Sequence, residues 1–196
     1  MSVTKEAKLI LRKDIKKIIA LITPEQKKYQ SDLVTERFLA RPEYHKSRRI
    51  SVFISMDDEI QTDKIIQNIF LSGKSCFIPR YADDSRAMDM VRLNSIQDLD
   101  SLPTTKWSIR QPAESEEREN ALETGGLDLI LVPGLAFTVA GHRLGRGRGY
   151  YDTFLAKCRT TQGSAPLTVG LAFSQQMVAS VPTDENDICL DKVLHG

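Results

Sequence analysis

Hydrophobic and polar positions alternate along this chain in two rhythms, one helical and one extended. Leu11, Ile15, Ile18, Ile19 and Ile22 recur at spacings of three and four, which predicts an N-terminal helix with a buried apolar stripe. Lys5, Lys8, Arg12 and Lys16 run along the same helix, and a basic stripe of that kind is ordinarily a solvated face. Thr23-Pro24-Glu25-Gln26 places a capping hydroxyl before Pro and then acidic and amide residues. A second helix is predicted from there to Ala40, ending before Pro42. Residues 48–55 (RRISVFIS) read as a strand that delivers Ile54 and Glu59 into a loop. Thr62 then opens a helix to Leu71, Gly73 closes it, and residues 75–79 form a short strand. This strand–helix–strand order implies a parallel sheet covered on both faces. The predicted fold class is α/β, a single-domain three-layer α/β/α sandwich with a mostly parallel sheet.

Farther on, residues 88–93 suit a strand and residues 95–102 a short turn of helix, with Trp107 in an irregular region. Residues 112–124 carry Glu114, Glu116, Glu117, Glu119 and Glu123, which predicts an exposed helix ahead of Gly125-Gly126. Residues 127–132 form an apolar run of strand length, stopped by Pro133-Gly134. A helix is expected over 149–159, a strand over 167–173, a short helical piece from Ser174, and a closing strand over 188–194. Asp184, Glu185 and Asp187 sit just before that last strand, where a turn with capping duty is the plain reading.

The stretch between the Pro133-Gly134 stop and the following helix has its own chemistry. Gly145, Gly147 and Gly149 alternate with Arg146 and Arg148, and Tyr150-Tyr151-Asp152 leads into Phe154 and Leu155. Glycines let backbone N–H groups approach an anion, arginines supply forked donors, and a helix N-terminus adds its positive dipole. The spacing is neither the P-loop nor the G-x-G-x-x-G dinucleotide fingerprint. On chemistry alone the stretch is as well read as a flexible surface loop or part of a nucleic-acid-binding tail.

Composition narrows the choice. The chain has 196 residues, 41% hydrophobic and 27% charged, with net charge +1, which suits a globular domain and not a protein that coats nucleic acid. No run reaches membrane-spanning length, and the first residues lack the apolar core and cleavage site of a secretory signal. Cys76, Cys158 and Cys189 are odd in number and far apart, so neither a disulfide framework nor a zinc site is expected, and a reducing cytoplasm is the expected location.

Pro133-Gly134-Leu135-Ala136-Phe137, Gly141 and the run from Arg143 through Leu144, Gly145, Arg146, Gly147, Arg148, Gly149, Tyr150 and Tyr151 to Asp152 resemble the signature of the 5-formyltetrahydrofolate cyclo-ligase (methenyltetrahydrofolate synthetase) family. Lys8-Leu9-Ile10-Leu11-Arg12 resembles its N-terminal Lys-x-x-Leu-Arg. Ser55-Met56-Asp57-Asp58-Glu59-Ile60 resembles its substrate-side segment, and Pro182-Thr183-Asp184-Glu185-Asn186-Asp187 its closing one. The likeness runs in order from about residue 5 to about residue 194.

The resemblance implies one cyclo-ligase domain over 1–196. Its reaction would be the ATP- and Mg²⁺-dependent closure of 5-formyltetrahydrofolate to 5,10-methenyltetrahydrofolate, releasing ADP and phosphate through an N5-iminium phosphate. It implies that Arg146 and Arg148, with the backbone of Gly145, Gly147 and Gly149, hold the transferring phosphate. ATP would lie on residues 8–12 and 143–151, with Lys8 and Arg12 steadying the triphosphate and Leu9, Ile10, Leu11, Arg143 and Leu144 beside them. Asp152 and Asp187 would hold Mg²⁺. Glu59, Ile54, Trp107 and the Arg146–Tyr150 run would contact the pterin, while Tyr151 packs. The expected state is a monomer acting on folate, polyglutamylated forms included, with no nucleic-acid or membrane partner.

Two positions depart from the family pattern: Thr138 stands where Asp is frequent, and Arg148 where Lys is frequent. Two other readings suit the same pattern. One is a sugar-phosphate isomerase or acyl-CoA transferase-like enzyme. The other is an RNA-binding module that uses Arg146, Arg148, Tyr150 and Tyr151.

Overall fold

Two helices precede the first strand in the computed structural model, which describes residues 3–81, 87–105 and 109–196. Helix α1 spans Val3–Ala20 and buries Ile15 and Ile19, but Ile18 is 41% exposed. Adjacent helical residues point about 100° apart, so Ile18 and Ile19 cannot both face the core. The basic stripe is split as well, because Lys8 is buried. Helix α2 (Pro24–Leu39) begins with the predicted reciprocal cap: Gln26 N donates to Thr23 Oγ1 at 3.3 Å, and Thr23 N to Gln26 Oε1 at 3.1 Å. A short α3 (Pro42–Lys46) follows.

Strand β1 covers only Arg49–Ser51, shorter than the predicted 48–55. The Phe53 carbonyl accepts from the Thr62 hydroxyl at 2.7 Å instead of a neighbouring strand, so the chain leaves the ladder early. Helix α4 (Asp63–Leu71) leads to β2 (Ser75–Tyr81), which runs two residues beyond expectation and pairs antiparallel with β3 (Met88–Leu93). Ser95 caps α5 (Ile96–Ser101). The acidic stretch 112–124 is not a helix. Arg92 N donates to Glu119 O and Ala121 N to Met90 O, so its backbone runs beside β3, while Glu119 pairs with Arg49 and Arg92.

Strand β4 (Leu129–Val132) is followed by a small hairpin, β5 (Ala136–Phe137) and β6 (Arg143–Leu144), which the periodicity does not signal. Helix α6 covers Tyr150–Thr161, β7 Leu167–Ala172, a 3₁₀ turn Ser174–Gln176, and β8 Lys192–His195. The last strand begins later than the predicted 188. The amides of Ile188 and Leu190 are committed elsewhere, to Asp152 and to Gly141 of the hairpin turn.

The six strands lie in the order β3-β2-β1-β4-β7-β8, parallel except for β3. Strand β4 is buried throughout and splits its residues between two cores. Leu129 and Leu131 join Ile15, Ile19, Val34, Phe38 and Ile65, from α1, α2 and α4, on one face. Ile130 and Val132 join Tyr151, Phe154 and Leu155, from α6, on the other. The result is the three-layer sandwich with a mostly parallel sheet. From β1 the chain turns to β2 on one side, whereas β4 leads to β7 on the other. The β1/β4 boundary is therefore a topological switch point, where α/β sheets open a crevice beyond the carboxyl ends of their strands.

Candidate active site

A cavity of about 290 Å³ opens at that switch point. Phe53, Ile54, Met56 and Glu59 enter it from the loop after β1, Pro79 and Tyr81 from the end of β2, and Pro133 and Gly134 from the end of β4. Gly145, Arg146, Arg148 and Gly149 form the glycine loop side, and Arg143, Tyr150, Tyr151 and Asp152 flank it.

The hairpin aims this loop. Leu135 N donates to Leu144 O at 2.8 Å, and the tip turns through Gly141 at φ 93°. Thr138 Oγ1 accepts from His142 N at 3.1 Å, so the hydroxyl performs the local turn duty for which an Asp is suited. Buried Arg143 then braces the loop's base: Nη1 donates to Pro133 O at 3.2 Å and Nη2 to Asp152 Oδ2 at 2.8 Å. From outside, Arg12 Nε donates to Gly145 O at 2.9 Å. The loop is thus tied at both ends before it meets any ligand.

Arg146 reaches across the cavity to the β1 side. Its Nη2 lies 2.9 Å from Glu59 Oε1 and 2.6 Å from Asp58 Oδ1. Glu59 is only 6% exposed, and burial raises its carboxyl pKa against the opposing pull of Arg146 and the Met56 amide. Asp58 belongs to the substrate-side segment, but the sequence alone assigns it no role; three adjacent acids after a strand end, Asp57, Asp58 and Glu59, were the available signal. The Tyr81 and Tyr150 rings meet at a tilt of 54° with centroids 4.8 Å apart, and burial followed by the Glu59 charge pushes the Tyr81 hydroxyl well up. Tyr151 is buried as expected but also lines the cavity.

The remaining predicted residues that the structure describes are not in this cavity's lining. Lys8 donates to Asp184 Oδ2 at 2.7 Å and to Asp187 Oδ2 at 2.6 Å. Those bonds raise the Lys8 pKa although burial acts the other way, and they help hold Asp184 down at about 2. Ile188 N donates to Asp152 Oδ1 at 3.1 Å, so Asp152 meets the residue next to Asp187. Leu11 is half-buried against the core, while Leu9 and Ile10 are 52% and 58% exposed. Leu144 is buried in the hairpin. Trp107 lies outside the described residues.

The fit to an anion is direct. Gly147 has φ 111°, and a Cβ there would sit 3.6 Å from the Arg12 guanidinium, so backbone and cation share one small space. Gly149 is the N-cap of α6 and has no side chain to place over the positive end of that helix. For a divalent cation the donors are of the right kind, carboxylate oxygens on two segments joined by the Asp152–Ile188 bond. No group of three or more His, Cys, Asp or Glu side chains suited to a metal occurs among the described residues. A Mg²⁺ ion held by one or two carboxylates with phosphate and water requires no such group.

Comparison with known proteins agrees with this geometry. The profile of the 5-formyltetrahydrofolate cyclo-ligase family matches residues 4–196. The chain belongs to that family. The mouse 5-formyltetrahydrofolate cyclo-ligase is 49% identical over 189 residues, spanning 96% of this chain and 93% of the mouse protein. A probable 5-formyltetrahydrofolate cyclo-ligase of Caenorhabditis elegans is 40% identical over 100% of this chain and 95% of its own. The NMR structure of Aquifex aeolicus 5,10-methenyltetrahydrofolate synthetase superposes with a TM-score of 0.76 at 27% identity, covering 96% of this chain and 89% of that one. The cyclo-ligase family is one of ligases, and this chain is an enzyme of that class. Membership favours the cyclo-ligase reading over the isomerase-like and RNA-binding ones. No helix among the described residues is long and apolar enough to cross a membrane.

Proposed function

We propose that this chain closes 5-formyltetrahydrofolate to 5,10-methenyltetrahydrofolate with ATP and Mg²⁺, releasing ADP and phosphate, as one cyclo-ligase domain over residues 1–196. The observation that carries the reading is the meeting, in one cavity, of a buried carboxylate on the β1 side and an arginine–glycine loop on the β4 side. The first suits the hydrogen-bond donors of a pterin, the second a phosphoryl group.

A formyl oxygen is a poor leaving group. In the proposed sequence it attacks the γ-phosphorus and ADP departs, which leaves an N5-iminium phosphate. N10 then attacks the activated carbon, the carbon–oxygen bond breaks with loss of phosphate, and the N10 proton passes to solvent. Arg146, Arg148 and the amides of Gly145, Gly147 and Gly149 hold the phosphoryl group, so charge stabilisation and alignment supply most of the rate. Lys8 and Arg12 lie along the triphosphate, with Leu9, Ile10, Leu11, Arg143, Leu144 and Tyr151 completing the nucleotide side. Asp152 and Asp187 are the residues that would hold Mg²⁺, which neutralises phosphate charge when bound. Glu59 accepts from the pterin, and Ile54, Trp107 and Tyr150 give it apolar or stacking contact. In this reading the enzyme works as a cytoplasmic monomer on folate, polyglutamylated forms included.

Turnover tests it. Given 5-formyltetrahydrofolate, ATP and magnesium, the purified chain forms the methenyl product, read by near-ultraviolet absorbance, with matching release of ADP. No product, or product formed equally well without ATP, overturns the reading.

A further inference from the structure

The plain sequence reading gives Asp184 only a turn-capping duty, and its two oxygens do different things. Oδ1 accepts from Asn186 N at 3.0 Å and Asn186 Nδ2 at 3.2 Å, which sets the turn. Oδ2 accepts from the Lys8 ammonium at 2.7 Å. Asp187 holds the same ammonium through Oδ2 at 2.6 Å, and that oxygen also accepts from Asp184 N at 2.6 Å. Lys8 is 8% exposed, so α1 presents a buried cation to a pair of acids on a distant turn.

This arrangement resolves a conflict of charge. A carboxylate that alone anchored Lys8 could not also take a divalent cation without bringing two positive charges together. One ammonium between two carboxylates leaves one negative charge in surplus, and the ammonium keeps an anchor when one carboxylate turns away. We propose that Asp184 is a positioning residue for Lys8, keeping the ammonium at the phosphate end of the site while Asp187 takes up magnesium. The proposal rests on the roles given above to Lys8 and Asp187.

The test variant is Asp184→Asn, whose amide oxygen can still accept from Asn186 and so preserve the turn. Calorimetry with ADP, with and without magnesium, should show ADP binding weakened about tenfold when magnesium is present, a coupling of the size expected between contacting charges. In a Lys8→Met background the same change should have no further effect on the affinity. Simple electrostatics predicts the opposite sign, because removing a negative charge near a phosphate chain favours the anion. Unchanged or tighter ADP binding by Asp184→Asn therefore overturns the proposal. So does a loss that persists in the Lys8→Met background, or a fall in melting temperature with affinity intact. Should the wild-type chain itself fail to bind ADP with magnesium, the nucleotide reading falls and takes the positioning role with it.

Discussion

Arg146 Nη2 lies 2.9 Å from Glu59 Oε1, a contact that spans the cavity between residues 87 positions apart in sequence. It joins the two halves of the proposed chemistry before either ligand is present. The pair is only half-buried, with Glu59 enclosed and Arg146 partly exposed, so the cost of desolvating the carboxylate offsets much of the attraction and the net stability gained is small. Its value lies in placement: the guanidinium is held over the site by Glu59 and Asp58, and in the proposed reaction it would pass to the phosphoryl group as the pterin takes Glu59.

Replacing Arg146 by Ala should therefore remove turnover with the fold intact. The expected fall in kcat is about a hundredfold or more, the scale for losing one charge-stabilising donor. Rate measurements paired with a melting curve check it. Wild-type rates would show that the loop does not carry the transferring phosphate.

The raised Glu59 pKa gives a pH dependence with a defined sign. Burial, only partly opposed by Arg146, makes the folded protein bind this proton more tightly than the unfolded chain does. Its contribution to stability is thus greatest at low pH and is lost as pH rises through the folded pKa. Folate binding runs the other way, since only the ionised carboxyl is a pure acceptor. The KM for folate should rise on the acid side, beginning above the ordinary 4.5. Glu59→Gln should show a raised KM, roughly tenfold or more, without that acid limb. An unaltered limb in the variant would assign the titration elsewhere.

Asp152→Asn should change two quantities at once. The variant needs more magnesium for half-maximal rate, and an unchanged metal titration would count against Asp152 as a ligand. It also leaves Arg143, whose side chain is 5% exposed, with a weakened partner. Breaking such a pair costs about 3–5 kcal/mol, and urea unfolding should register a loss in that direction.

Gly141→Ala tests the hairpin that aims the loop. With φ at 93°, an added Cβ would fall 2.1 Å from the Leu190 carbonyl oxygen, which is backbone and cannot swing aside. Strain at such a position costs about 1–3 kcal/mol, and the clash adds to it. A lower melting temperature and weaker nucleotide binding are expected; a variant as stable as wild type would mean that the turn adjusts freely.

Much of the fold was legible because local signals and tertiary context agreed. The Thr23 capping box formed as written, and Thr62 opened its helix. Disagreement arose where tertiary bonds outranked local pattern. The acidic stretch reads as a solvated helix, yet the Glu119 carbonyl and the Ala121 amide bond to β3. Residues 52–55 are apolar enough for a strand, but Phe53 and Ile54 face the cavity.

For the site, composition and spacing identified the glycine–arginine loop, and the family likeness brought in Lys8, Glu59 and Asp187. Neither could show that Arg146 rests on Asp58, that the Tyr81 and Tyr150 rings meet at a tilt, or that Lys8 is buried between two acids. Those pairings are products of the parallel sheet, which brings loops far apart in sequence to one edge.

A crystal structure with ADP and magnesium tests the central claim most directly. The account predicts the terminal phosphate against the Gly145–Gly149 backbone and the start of α6, the metal at Asp152 and Asp187, and Arg146 turned away from Glu59. A nucleotide lodged elsewhere, with the loop empty and Arg146 still paired, would contradict it.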